Sequence, residues 1–245
     1  MYHLGLTKHD AKDFKGIKYV CIGGTNDRMS NFAKTIGDKF GYPVKSIGIH
    51  KRYVLYHIGP CLVCSHGMGG PSISILLNEI AKLLKYAGAD SLWIRMGTSG
   101  GVGVNPGTVC ISKQAVNGAL EPYHETIVLG KRVQRPAIFD EGVANELVKI
   151  CEELKIESTI GKTMCCDDFY EGQGRLDGAI CEYTLQDKMD FLDRASKEGV
   201  KNVEMESLQF GAFCNKINVR SIVVCVALLN RLKGDQVTST MEQLK

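Results

Sequence analysis

No apolar run in this 245-residue chain is long enough to cross a membrane. The opening residues, Met1 to Lys12, are polar and charged, so no signal peptide is expected there and no membrane partner is implied. Runs of Lys or Arg are missing too. The net charge of +3 is small for this length, and a protein that neutralises a nucleic-acid backbone needs a basic face. A nucleic-acid partner is therefore not expected, and a small anionic molecule suits the charge balance at least as well. There is no HExxH motif, and adjacent Cys165 and Cys166 do not make a metal site, so no metal is expected. Linkers, repeats and low-complexity segments are absent as well. Cysteine, by contrast, is plentiful. Most of the ten, such as Cys21, Cys61, Cys64 and Cys225, sit inside apolar strand-like runs, which reads as buried free thiols in a reducing, cytoplasmic setting.

A chain of this length that is 44% hydrophobic can bury one sizeable core, so residues 1–245 are expected to form a single α/β domain. Short apolar runs alternate with longer amphipathic stretches. Strands are expected at 17–22, 54–57, 62–65, 91–96, 107–112, 161–165 and 221–228, and helices at 26–39, 72–86, 141–154, 188–198 and 208–216. In the second helix Ile73, Leu76, Leu77, Ile80, Leu83 and Leu84 share one side, and Pro71 stands near its first turn, where a missing N–H costs nothing. Strands separated by helices imply a mixed, largely parallel sheet with helices on both faces.

Open sheets of this kind place ligands in the loops that follow their strands, and three loops carry suitable chemistry. Gly23-Gly24-Thr25-Asn26-Asp27-Arg28 puts flexible backbone, a helix start and a guanidinium together, as an anion site requires, although a plain strand-to-helix turn reads the same way. Arg95, at the end of the apolar run Leu92-Trp93-Ile94, is costly to bury without an anionic partner. That partner is either a bound oxyanion, cradled by Gly97-Thr98-Ser99-Gly100-Gly101, or a carboxylate of the protein. In Glu204-Met205-Glu206 a strand-like backbone puts both carboxylates on one side and Met205 on the other. Carboxylates there could hold sugar hydroxyls or simply start a helix. A fourth segment, Phe169-Tyr170-Glu171-Gly172-Gln173-Gly174-Arg175, joins aromatics for stacking with an amide and a guanidinium that match a uracil edge; the alternative is a surface loop.

Taken together and in order, these segments resemble the uridine phosphorylases of the nucleoside phosphorylase family, especially the eukaryotic branch. The similarity also takes in His3-Leu4-Gly5-Leu6-Thr7, Ser65-His66-Gly67-Met68-Gly69 and Leu228-Leu229-Asn230-Arg231, and runs from residue 1 to about residue 236. It implies a three-layer α/β/α sandwich around a mixed sheet, and phosphorolysis of uridine to uracil and ribose 1-phosphate. Phosphate would be held by Gly24, Arg28, Arg95 and Thr98, joined by Arg52 from a neighbouring subunit. Ribose would lie against Met205 and Ser99, with Glu206 on its 2′- and 3′-hydroxyls and a neighbour's His3 at the 5′-hydroxyl. Phe169, Gln173, Arg175 and Arg231 would hold uracil. The resemblance implies a homo-oligomer, in the first place a dimer, with shared sites. It implies no cofactor beyond phosphate as co-substrate.

Three departures modify these expectations. Purine enzymes of the same fold place an Asp where this chain has Asn230-Arg231, which argues against purines. Tyr53 stands where bacterial relatives carry an acidic residue of a potassium site, so no such ion is expected. The family continues into a final helix after the position of Gln236, where this sequence has few residues left, and the stretch between Gly41 and Lys51 is short.

Overall fold

The computed structural model describes residues 1–47 and 52–237. A 3-10 turn at Lys8–Phe14 leads to strand β1 (Tyr19–Gly23), helix α1 (Asn26–Phe40), the short β2 (Lys45–Ser46), and the antiparallel pair β3 (Leu55–Ile58) and β4 (Cys61–Ser65). Helix α2 (Gly70–Ala87) is followed by β5 (Leu92–Gly101) and β6 (Val109–Val116). The hairpin β7 (Tyr123–Val128) and β8 (Lys131–Pro136) precedes α3 (Glu141–Glu153) and β9 (Ser158–Cys165). The remainder holds α4 (Leu185–Lys197), β10 (Val200–Glu204), α5 (Ser207–Lys216) and β11 (Ser221–Asn230). The implied C-terminal helix falls partly on residues 238–245, outside the described residues.

Local chemistry sets these boundaries. The Thr25 hydroxyl accepts from the Arg28 amide at 3.4 Å and caps α1, and Gly41, at φ 70°, ends it in the left-handed conformation. The expected apolar stripe of α2 is buried along its length. Strand alternation then sends side chains to two faces. Val20 and Ile22 of β1 join a core with residues of α2, α3 and α5, while Cys21 between them packs with Met29 and Ala33 of α1. Helices thus cover both faces of the sheet, as expected.

The main sheet is mixed, in the order β10-β9-β6-β11-β5-β1-β4-β3-β2. β5 lies parallel to both β1 and β11, and β11 is antiparallel to β6. One pairing bears directly on function: β10, parallel to β9, also turns antiparallel onto the end of β5, with Val203 opposite Gly100. That closes β5, β11, β6, β9 and β10 into a ring and delivers Glu204 and Glu206 beside Arg95.

Three features depart from the sequence expectation. The stretch after Met96 does not break into a loop but continues as strand to Gly101. Residues 200–204 form a strand that was not among those expected, although a strand-like backbone was expected at Glu204 itself. The β7–β8 hairpin, with Leu129 and Gly130 both at positive φ in its turn, was not expected, because its strands are largely polar and exposed. Cys61-Leu62-Val63-Cys64 is a C-x-x-C pair, which corrects the sequence reading that the chain has none. On a strand such residues face opposite sides, and the two indeed belong to different cores. All ten cysteines are free, and among the described residues no His, Cys, Asp and Glu group could hold a metal.

Candidate active site

A cavity of about 620 Å³ opens at the C-terminal ends of β1, β5, β10 and β11. Of the thirteen candidate residues, eleven line it: Gly24, Arg28, Arg95, Thr98, Ser99, Phe169, Gln173, Arg175, Met205, Glu206 and Arg231. His3 and Arg52 do not. His3 is tied to Glu79 of α2 through its backbone N–H at 3.1 Å and Nδ1 at 2.7 Å. Arg52 is exposed.

At one end lie the β1–α1 turn and Arg95. Arg95 is 3% exposed, and its Nη1 stands 2.8 Å from Glu204 while Nη2 donates to Glu206. Glycine makes this possible: a Cβ on Gly97 would come within 2.9 Å of Arg95 Nη1. Of the two sequence alternatives for Arg95, the structure shows the protein carboxylates as its partners, and Arg95 also lines the cavity. The two glutamates divide their work. Glu204 accepts from the backbone N–H of Glu206 and Ser207 at 2.9–3.0 Å, just ahead of α5, whose first turn itself carries no acidic residue. Glu206 accepts from Gly69 N–H at 2.6 Å and faces the cavity. Burial, with Glu204 alongside, pushes the Glu206 carboxyl above its ordinary range although Arg95 pulls it down. Ser99 is less available than expected: its hydroxyl accepts from Asn202 at 3.0 Å and donates to the Val226 carbonyl at 3.4 Å.

The other end is built around Gln173, which is 5% exposed; Arg175 is buried with it, while Phe169 to Gly172 are exposed, so the surface-loop reading holds for the first part of the segment only. Arg231 is almost fully buried and holds Gln173 twice, through the backbone carbonyl at 2.6 Å and Oε1 at 3.3 Å. Arginine only donates, so the amide oxygen must face Arg231. The orientation of Gln173 is thereby set by a residue 58 positions away. Gly100 leaves the room, since a Cβ there would come within 2.9 Å of Arg231. Arg175 lines the cavity and is also held by protein partners. Its Nε donates to Asp177 at 3.0 Å, Nη2 donates to the Asp235 carbonyl at 2.9 Å, and its guanidinium stacks on Phe169 at 4.5 Å.

The Asp235 carboxylate binds Arg231 at 2.8 Å and buried Lys188 at 2.7 Å. Burial works against its charge, but Lys188 and Arg231 prevail and hold the carboxyl below its usual range. Asn230, at the position of the purine enzymes' acid, instead accepts from the backbone of Gly103 and Leu232.

Sequence reasoning assigned no role to His66, which also lines the cavity. Its motif was noticed, but nothing in the spacing shows that β4 ends against the anion-binding turn.

The family described as the phosphorylase superfamily matches residues 18–244. Uridine phosphorylase A of Schistosoma mansoni is 45% identical over 251 residues, covering 99% of this chain and 85% of the relative. This chain belongs to the uridine phosphorylases of that superfamily. The inactive uridine phosphorylase B of the same organism is 42% identical, over 100% of this chain and 86% of its own. A crystal structure of uridine phosphorylase from Schistosoma mansoni in complex with uracil superposes with a TM-score of 0.95 at 44% identity, covering 99% of this chain and 87% of that one.

Proposed function

We propose that this chain acts as a single catalytic domain that converts uridine, and deoxyuridine, with inorganic phosphate to uracil and ribose or deoxyribose 1-phosphate, reversibly, in pyrimidine salvage and catabolism. The observation that carries this reading is the meeting of three chemistries in one cavity: Gly24, Arg28, Arg95 and Thr98 for an anion, Met205 and Glu206 for a sugar, and Gln173 beside Phe169 and Arg231 for a planar base. Uridine phosphorylases share both the sequence and the fold. Because one relative is named as inactive, membership alone does not carry activity; the meeting of all three groups in one cavity supports it.

In the mechanism phosphate oxygen attacks C1′ while the N1–C1′ bond breaks, and positive charge grows on the sugar. Positioning and electrostatics supply the acceleration. Arg28 and Arg95 hold the phosphate. Glu206, braced by Arg95 and Gly69, takes the ribose hydroxyls. Gln173 Oε1 keeps a lone pair for uracil N3–H, and its Nε2 donates to a carbonyl, so charge building on the leaving base meets donors. No protein nucleophile and no cofactor other than the co-substrate phosphate is needed. Free thiols throughout favour a reducing, cytoplasmic location. The test is uracil release from uridine with and without phosphate, beside cytidine and inosine. Uridine is expected to be cleaved only when phosphate is present, and the other two poorly. Intact uridine after incubation with phosphate would overturn the reading in favour of a binding protein.

His3 and Arg52 lie outside their own cavity, which supports a dimer with shared sites. His3 of the partner subunit would reach the 5′-hydroxyl, and Arg52 of the partner subunit the phosphate. A variant lacking His3 and Arg52 and a variant lacking Glu206 are each expected to be nearly inactive. After subunit exchange, mixing them should restore activity through heterodimers with one intact site. Exchange demonstrated by native mass spectrometry without recovered activity would rule out sharing.

A further inference from the structure

The wall of the cavity nearest the anion-binding turn contains a group with no assigned task. His66 follows β4, and its backbone N–H donates to the Gly23 carbonyl at 2.8 Å, which seats the residue directly behind the β1–α1 turn. The Ser72 hydroxyl donates to its carbonyl at 2.5 Å, so the main chain is held from both sides. The imidazole is fully buried and lines the cavity. Neither ring nitrogen has a hydrogen-bond partner among the described residues. The Gly67 backbone runs beside the ring without reaching hydrogen-bond geometry.

An orphaned buried donor is unfavourable because it has given up water without gaining a partner, and such groups in native proteins call for a reason. Position supplies one. A Cβ on Gly24 would lie 3.9 Å from His66 Cε1, so the ring edge faces the turn whose open backbone is expected to receive phosphate. Arg95 and Arg28 are the charged groups that act on it. Burial, then these two arginines, hold the ring well below the ordinary histidine range, so it is neutral at physiological pH and presents one N–H donor and one lone pair. We propose that His66 is a further phosphate-binding residue, donating its ring N–H to an oxygen of the anion held by Gly24, Arg28 and Arg95. A second cation here would have to be buried beside Arg95, whereas imidazole adds a directional donor without adding charge. The inference rests on the phosphorolysis reading and assigns this residue to its anion end.

Two variants separate binding from structure: His66→Phe keeps the ring and removes both nitrogens, and His66→Asn keeps a donor. The KM for phosphate is expected to rise roughly 10- to 100-fold in His66→Phe, from loss of a hydrogen bond to a charged group. The KM for uridine should stay within about threefold, and His66→Asn should recover part of the phosphate affinity. Titrating inorganic phosphate into wild-type protein with 15N-labelled histidine, without uridine, should shift the His66 ring signals whether or not the variants fold. A folded His66→Phe with wild-type KM for phosphate, ring signals insensitive to phosphate, or an equal rise in both KM values would each overturn the proposal. Wild-type protein with no phosphate-dependent turnover would instead remove the functional reading on which it stands.

Discussion

Replacing Arg95 by alanine is expected to lower kcat/KM for phosphate by about two to three orders of magnitude, the scale on which one key anion-stabilising donor is lost. The structure adds a second consequence. Arg95 is the cation between Glu204 and Glu206, and its removal leaves two buried carboxylates facing each other. Breaking a buried pair by deleting one partner destabilises by about 3–5 kcal/mol. Glu206 also loses its brace, so the uridine dependence should worsen together with the phosphate dependence. Arg95→Lys is the informative companion. It keeps a positive charge but not the fork that reaches both glutamates, so it should recover stability more than activity. Steady-state kinetics with each substrate varied, beside equilibrium denaturation of both variants, resolves the two effects. A change under fivefold in kcat/KM for phosphate in a folded Arg95→Ala would remove Arg95 from the catalytic set.

Gln173→Leu is expected to reduce kcat/KM for uridine by roughly 30- to 1,000-fold, from about 2–4 kcal/mol of unpaired polar groups. Leucine keeps the approximate volume and deletes donor and acceptor together. It strands the uracil edge, and it also removes the Oε1 partner of Arg231. Sites built on polar partners discriminate more sharply than hydrophobic pockets because the partners are left unsatisfied. Phosphate affinity should change little, since Arg28, Arg95 and Thr98 are untouched. Uridine turnover and phosphate binding measured on this one variant separate base recognition from anion binding. Normal uridine turnover would show that 169–175 is not the base site.

Much was readable along the chain because it depends on neighbours. The apolar stripe from Ile73 to Leu84 dictates a helix with one buried face wherever it packs. Gly24 to Arg28 puts open backbone, a helix start and a guanidinium within five residues, and Gly24, Thr25 and Arg28 line the cavity; the alternation in Glu204-Met205-Glu206 puts the two carboxylates on one side, as found. The span 221–228 is apolar enough to lie centrally in the sheet, and β11 does. The functional groups of 169–175 were visible in the sequence, but not that Gln173 and Arg175 alone among them are buried.

The sequence by itself determined the kinds of chemistry available, the helical and apolar segments, and through its ordered motifs the family to which the chain is similar. Only the tertiary structure decided who partners whom. Arg95 and Glu206 are 111 residues apart, and their pairing exists because β10 turns back onto the end of β5. Gln173 is oriented by Arg231, which is itself held by Asp235 and given room by Gly100. His66 emerges as an orphaned donor only when β4 ends beside β1. Side-chain periodicity and turn preference are properties of a few consecutive residues. Burial, charge compensation and hydrogen-bond satisfaction are properties of strand order and register, and no local pattern carries them.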